Sequence, residues 1–307
     1  MPPEHFHGVV VPVLTPFRRN LEPDKQRFAA LCRWLTREGV NGLAVFGTTS
    51  EANSMSVGER MALLEHLADT GIGPELLMPG TGACAVPDAV DLTSHAVKIG
   101  CGGVLMLPPF YYKNQSDEGF FAYFCEVIER VGDPRLKVYL YHFPQMSAAP
   151  ISPALVARLR RRYPDAVVGL KDSSGDWEAT KRLKAEFPEM AIFPSSETRL
   201  DEGLRLGMAG CISATANIQP RAIRKFIDSH GTPDAAALNQ HISTVRTILE
   251  RHPLVPALKA LLARDTGDQD WAITRPPITQ LPADAAARLF DELDASGCYE
   301  PVRLPSL

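Results

Sequence analysis

A chain of 307 residues, 45% hydrophobic and 22% charged, is long enough to bury a large core such as an α/β barrel with an appendage. A net charge of −4, without a basic patch or long acidic run, argues against nucleic acid or an anionic membrane as partner. No apolar stretch reaches the roughly 20 residues a membrane span needs, and residues 1–16 lack the pattern of a secretion signal.

Short apolar runs recur at residues 9–14, 42–46, 76–79, 104–107, 138–141, 167–170, 191–193 and 211–213, and read as eight strands buried on both faces. Helix signals fill the intervals. Asp24 caps a helix with apolar positions Phe28, Leu31 and Leu35, and Ser56-Val57-Gly58-Glu59 is a capping box before Met61, Leu64 and Leu67. Ser116 opens a helix carrying Phe121, Phe124 and Ile128. Ser152-Pro153 precedes Leu155 and Leu159, and Pro220 precedes Ile223 and Phe226. Strand and helix in alternation predict a (β/α)8 TIM barrel over residues 1–230. An open doubly wound sheet is the alternative, without a G-x-G-x-x-G after the first strand to favour it. Residues 231–307 read as a helical C-terminal extension, its last two helices separated by Pro276-Pro277. The six cysteines (Cys32, Cys84, Cys101, Cys125, Cys211 and Cys298) form no C-x-x-C pair, which reads as reduced thiols in a cytoplasmic protein.

A barrel carries its chemistry at the C-terminal ends of its strands. Of nine lysines only Lys171 follows an apolar run at that end; Lys137 begins a strand and faces the wrong side. Desolvation at a barrel mouth favours the neutral amine, the form that attacks a ketone carbon. A lysine paired with a carboxylate such as Asp172 is the competing reading. Gly47-Thr48-Thr49 offers a tight turn, amides and two hydroxyls for a small anion, or a plain turn. Tyr141 shares a strand face with Phe143 and is either a proton-transferring phenol or a core tyrosine. The aromatic loop of Tyr111 and Tyr112 is equally open to packing. Only His142 among eight histidines sits at a strand end, so neither a metal nor any other cofactor is expected.

Taken together, Gly-Thr-Thr-x-Glu after strand two, Tyr-x-x-Pro after strand five and Gly-x-Lys-Asp after strand six resemble the dihydrodipicolinate synthase and N-acetylneuraminate lyase family of class I aldolases. The likeness implies that Lys171 forms a Schiff base with pyruvate or a similar 2-oxo acid and that Tyr141 shuttles protons. It gives Thr48 and Thr49 the substrate carboxylate, Thr48 also a place in a hydroxyl relay, and the main chain near Ile212 the pyruvate pocket. Tyr112, or Tyr111 one position away, matches a relay tyrosine lent across a subunit interface, which implies a homo-oligomer, a tetramer built as a dimer of dimers. Met146 stands near where the synthases carry an arginine, and suits the apolar residue of sialic acid lyases. Glu197 stands in Ser195-Ser196-Glu197-Thr198, where those lyases favour Gly-x-Asp-Glu, and Ser50 replaces a glycine. The expectation is therefore an aldolase or lyase for pyruvate and an aldehyde, with a 2-keto-3-deoxy sugar acid type of substrate. The alternatives are a 4-hydroxy-tetrahydrodipicolinate synthase condensing pyruvate with aspartate semialdehyde, a dehydratase using the same imine, or a 2-oxo acid sensor without turnover.

Overall fold

Parallel pairing organises the chain. In the computed structural model, which describes residues 5–305, seven strands appear: β1 (Gly8–Val11), β2 (Gly42–Leu43), β3 (Val104–Met106), β4 (Val138–His142), β5 (Val167–Asp172), β6 (Ala191–Pro194) and β7 (Gly210–Ile212). They lie in two parallel ladders, β2-β1-β7 and β3-β4-β5-β6. The third strand expected from sequence, at 76–79, is not a strand. There the chain makes single parallel bridges, Leu43 with Leu77 and Gly80 with Leu105. Pro79 lacks an N–H and interrupts the ladder. The flanking amides still connect: Met78 N–H donates to Leu43 O at 2.9 Å and Gly80 N–H to Val45 O at 2.7 Å. Opposite, Ala209 N–H donates to Ile192 O at 2.9 Å and Gly8 N–H to Ala209 O at 2.6 Å. These bonds join the two ladders into a barrel.

The inside of the barrel is a packed core, not a channel. Val10, Ala44, Met78, Leu105, Tyr139, Phe193 and Ile212 meet there, Met78 supplied by the segment that is not a formal strand. Tyr139 is fully buried and its hydroxyl accepts from Phe6 N–H at 3.0 Å; burial pushes this phenol up to about 12. Gly169 is required beside it, because a Cβ there would lie 2.4 Å from the Tyr139 ring.

Around the strands run α1 (Lys25–Arg37), α2 (Val57–Asp69), α3 (Val86–Ile99), α4 (Asp117–Val131), α5 (Pro144–Ser147), α6 (Pro153–Arg162), α7 (Trp177–Glu186), α8 (Leu200–Arg205) and α9 (Pro220–Asp228). Then follow α10 (Ala235–Leu249), α11 (Leu254–Thr266) and α12 (Ala283–Ser296). The caps read from sequence form as hydrogen bonds: Asp24 accepts from Gln26 and Arg27 amides, Ser56 and Glu59 close a capping box, and Ser116 and Ser152 cap α4 and α6. All six cysteines are free, and burial pushes the Cys32 and Cys211 thiols far above the ordinary value. Among the described residues no helix is long and apolar enough to cross a membrane.

Candidate active site

Register brings the first two residues together. Tyr141 on β4 pairs with Lys171 on β5, and Lys171 pairs with Phe193 on β6. Residues level with one another on parallel strands project to the same side, so the amine and the phenol emerge side by side. Lys171 is 4% exposed and its Nζ lies 4.3 Å from the centroid of the Tyr141 ring. Tyr141 and Phe143 share a face, as the period of two predicts, with stacked rings 5.9 Å apart.

Asp172 does not hold the lysine. Successive strand residues point to opposite faces, and Asp172 turns outward, accepting from Ser174 N–H and from the Thr180 hydroxyl, both at 2.7 Å. Among the described residues Lys171 makes no ion pair with any carboxylate. A primary amine enclosed and unpaired in this way is available to an electrophile. His142, the one histidine at a strand end, also faces away: its Nδ1 accepts from Ile151 N–H at 3.0 Å, and burial lowers its pKa despite nearby Asp172.

The loop after β2 brings the hydroxyls. Thr48 Oγ1 lies 3.3 Å from the Tyr141 hydroxyl. Gly47 is not what makes the turn tight: its backbone is not left-handed, and a Cβ there would meet open space. The left-handed residues are Phe46 (φ 60°) and Glu51 (φ 56°), on either side of the two threonines. Gly80 fits beneath, since a Cβ on it would come 2.2 Å from Phe46 O. Glu51 closes the loop through its N–H to Thr48 O at 3.0 Å.

These groups open into one cavity of about 690 Å³. Thr48, Thr49, Tyr141, Met146, Lys171 and Ile212 all line it. Met146 is 64% exposed at its rim. Glu197 does not line it. It is fully buried behind the wall, where Oε1 accepts from the Thr215 hydroxyl and Oε2 finds no partner. Tyr112 lies outside too, 74% exposed and edge-on to Tyr111, their ring centroids 5.3 Å apart.

The far wall was not legible in sequence. Residues Pro253–Pro256 and Pro277–Pro282 roof the cavity, and α10 contributes Arg246. Arg246 Nε donates to Glu250 at 2.6 Å and Nη1 to Ser213 Oγ at 3.3 Å, with the side chain 11% exposed. Sequence reasoning assigned α10 to a helical appendage and looked for polar groups only at strand ends; the signal available was an arginine one turn before Glu250 on a helix facing the barrel. Among the described residues no three His, Cys, Asp or Glu side chains gather as a metal site.

A family model described as the dihydrodipicolinate synthetase family matches residues 5–296. An uncharacterized DapA-like lyase of Chloroflexus aurantiacus is 34% identical over 285 residues, covering 92% of this chain and 94% of the relative. The crystal structure of dihydrodipicolinate synthase from Agrobacterium tumefaciens superposes with a TM-score of 0.87 at 31% identity, over 94% of this chain and 99% of that one. YagE of Escherichia coli K12, crystallised in complex with pyruvate, superposes with a TM-score of 0.84 at 25% identity, over 95% and 99%.

Proposed function

The chain belongs to the dihydrodipicolinate synthetase family, and on that premise we propose that it joins or splits pyruvate, or a related 2-oxo acid, and an aldehyde through an imine on Lys171. The observation that carries the reading is the Lys171 amine itself, 4% exposed, paired with no carboxylate and 4.3 Å from the Tyr141 ring. That YagE was crystallised with pyruvate supports the choice of 2-oxo acid.

In this mechanism the neutral amine adds to the C2 carbonyl of pyruvate, one proton is taken up and water leaves, giving a protonated imine; the final hydrolysis returns that proton. The imine draws electrons as a proton departs from C3, and the resulting enamine attacks the aldehyde carbon. The former aldehyde oxygen takes up a proton, and water hydrolyses the imine to release product and regenerate the amine. Tyr141 carries these protons, with Thr48 next in the relay through its 3.3 Å contact. Thr49, the loop amides and the main chain at Ile212 orient the carboxylate of pyruvate. Tyr112, exposed in the single chain, extends the relay into a partner subunit of a tetramer built as a dimer of dimers.

For the second substrate the reading is a 2-keto-3-deoxy sugar acid type of adduct, because Met146 at the rim offers no charge to an amino-semialdehyde. The synthase reading draws its support from the 31% identical Agrobacterium tumefaciens enzyme. Product analysis with aspartate semialdehyde against sugar-acid aldehydes separates the two. The imine is tested by borohydride reduction with pyruvate, followed by peptide mass mapping. One adduct on the peptide containing Lys171, absent from Lys171→Ala, is expected; no adduct, or one on another lysine, overturns the proposal.

A further inference from the structure

We infer that His142 is a positioning residue for the cavity rim: as a neutral imidazole it closes the base of the loop at residues 143–150 through the Ile151 amide, and protonation releases that loop. The hydrogen bonds that carry this do not depend on which reaction the cavity hosts.

The loop leaves β4 at His142 and returns at Ile151, just before the Ser152 cap of α6. Between these ends it presents Phe143 and Met146 to the cavity. Phe143 also stacks on Tyr141, so a movement of the loop reaches the phenol beside Lys171. Bonds within the loop are local: Met146 N–H donates to Phe143 O at 3.1 Å, Ala148 N–H to Pro144 O at 2.8 Å and Ala149 N–H to Ser147 Oγ at 3.1 Å. They travel with the loop and do not fasten it. Gln145 donates to Ser174 O and Lys113 to Ser147 O, but both are long, exposed side chains that can follow a moving loop. The two ends are joined by Ile151 N–H donating to His142 Nδ1 at 3.0 Å. Pro150 has no N–H to offer. Ile151 is buried, so without the imidazole its amide is left unsatisfied.

An imidazole nitrogen accepts only while it carries no proton. Nδ1 accepts here, so the proton of the neutral ring is on Nε2. A second proton turns the acceptor into a donor that faces another donor. The surrounding charged groups offer no substitute. Asp172, level with His142 on β5, draws a proton toward the ring but already accepts from Ser174 N–H and the Thr180 hydroxyl. Lys113, ahead of α4, is turned to the carbonyls of Phe110 and Ser147, and Asp117 on α4 takes the Ser152 hydroxyl. Burial outweighs Asp172 and lowers the His142 pKa. The closed loop therefore excludes a proton that the open loop accepts. The bond is intact at neutral pH and is lost as pH falls below the ordinary histidine value of about 6.5.

Amide exchange of residues 143–151, read by mass spectrometry on the full-length protein from about pH 8 down to about pH 5, tests this. Expressing it as protection relative to free peptide cancels the intrinsic pH dependence. His142→Asn keeps an acceptor, Oδ1, at the place of Nδ1 and does not titrate; His142→Leu removes the acceptor. Wild-type protection should fall by about 5- to 100-fold on acidification, the range for a buried donor left without a partner. His142→Asn should hold its protection throughout, and His142→Leu should lack it at every pH. With pyruvate and cyanoborohydride, the rate of trapping on Lys171 in wild type relative to His142→Asn should fall together with protection, since the other titrating groups are common to both. Wild-type protection that is flat with pH, that falls equally in His142→Asn, or that survives in His142→Leu overturns the proposal, as does a trapping ratio indifferent to pH. The wild-type and asparagine pair decides even if the leucine variant does not fold. If nothing is trapped at any pH, the imine reading fails, and exchange alone decides the role of His142.

Discussion

Replacing Lys259 with methionine should damage both stability and pyruvate binding, although Lys259 does not line the cavity. It lies on α11 with 1% of its side chain exposed and forms an ion pair with Glu51, whose side chain is fully buried. Lys259 Nζ also donates to Ile273 O at 2.7 Å and lies 4.5 Å from the Phe17 ring centroid. Glu51 is left-handed at the end of the threonine loop, and its other carboxylate oxygen accepts from Arg275 N–H at 2.9 Å. Methionine keeps the bulk and removes the cation, so one carboxylate remains buried with a single amide to satisfy it. Breaking a buried pair from one side costs about 3 to 5 kcal/mol, most of it the uncompensated charge. Urea unfolding followed by circular dichroism should show that loss as a lower midpoint at unchanged slope. The double variant Glu51→Gln/Lys259→Met removes the stranded charge and should recover at least half of it. Because Glu51 N–H closes on Thr48 O, KM for pyruvate should rise in Lys259→Met. A single variant within about 1 kcal/mol of wild type, or a double variant no more stable than the single, would refute the reasoning.

The same lysine gives a pH dependence. Burial outweighs the pull of Glu51 and lowers the Lys259 pKa to about 8, from an ordinary 10.5. Between those values the unfolded chain holds a proton the folded one has released, so this group's contribution to unfolding free energy rises with pH across the window, by about 3 kcal/mol in all. The stability difference between wild type and Lys259→Met, measured from pH 7.5 upward, should widen accordingly; a flat or narrowing difference contradicts it. Tyr141→Phe should lower kcat by about 100-fold or more while borohydride still traps pyruvate on Lys171, and undiminished turnover would remove Tyr141 from the proton path. Gly80→Ala drives a methyl into Phe46 O and should cost about 1 to 3 kcal/mol, with weaker pyruvate binding as the threonine loop moves; an unchanged melting temperature and KM would show the approach to be loose.

Much of the barrel was legible because its determinants are local. A capping box needs only Ser56 and Glu59, and alternation along β4 suffices to put Tyr141 and Phe143 on one face. The third stave was expected as a strand and is not one, because the apolar pattern of residues 76–79 outweighed the ladder donor that Pro79 removes. Gly47 misled for a related reason. Glycine in a turn suggests left-handed backbone, yet here Phe46 and Glu51 adopt it, and tertiary contacts hold them: Gly80 leaves room beneath Phe46, and Lys259 with Arg275 fixes Glu51.

The candidate site divides along the same line. Its strand-borne half hangs on register, so Lys171, Tyr141 and Thr48 could be placed at one end of the barrel from their positions at the ends of apolar runs. Its other half is built by α10 and by the two proline-bounded segments after it, far along the chain and brought over the barrel mouth by packing alone. No periodicity marks Arg246 as facing a cavity, and Glu197, which reads as a strand-end carboxylate, is fully buried behind Thr215. The residue that sequence pattern offers for the second substrate therefore stands one layer too deep, and the guanidinium it steadies through Thr215 and Ser213 occupies the wall in its place. Strand-end residues and the tail thus line opposite walls of one cavity, and under the proposed reaction a substitution in the tail can alter the choice of aldehyde without disturbing the amine.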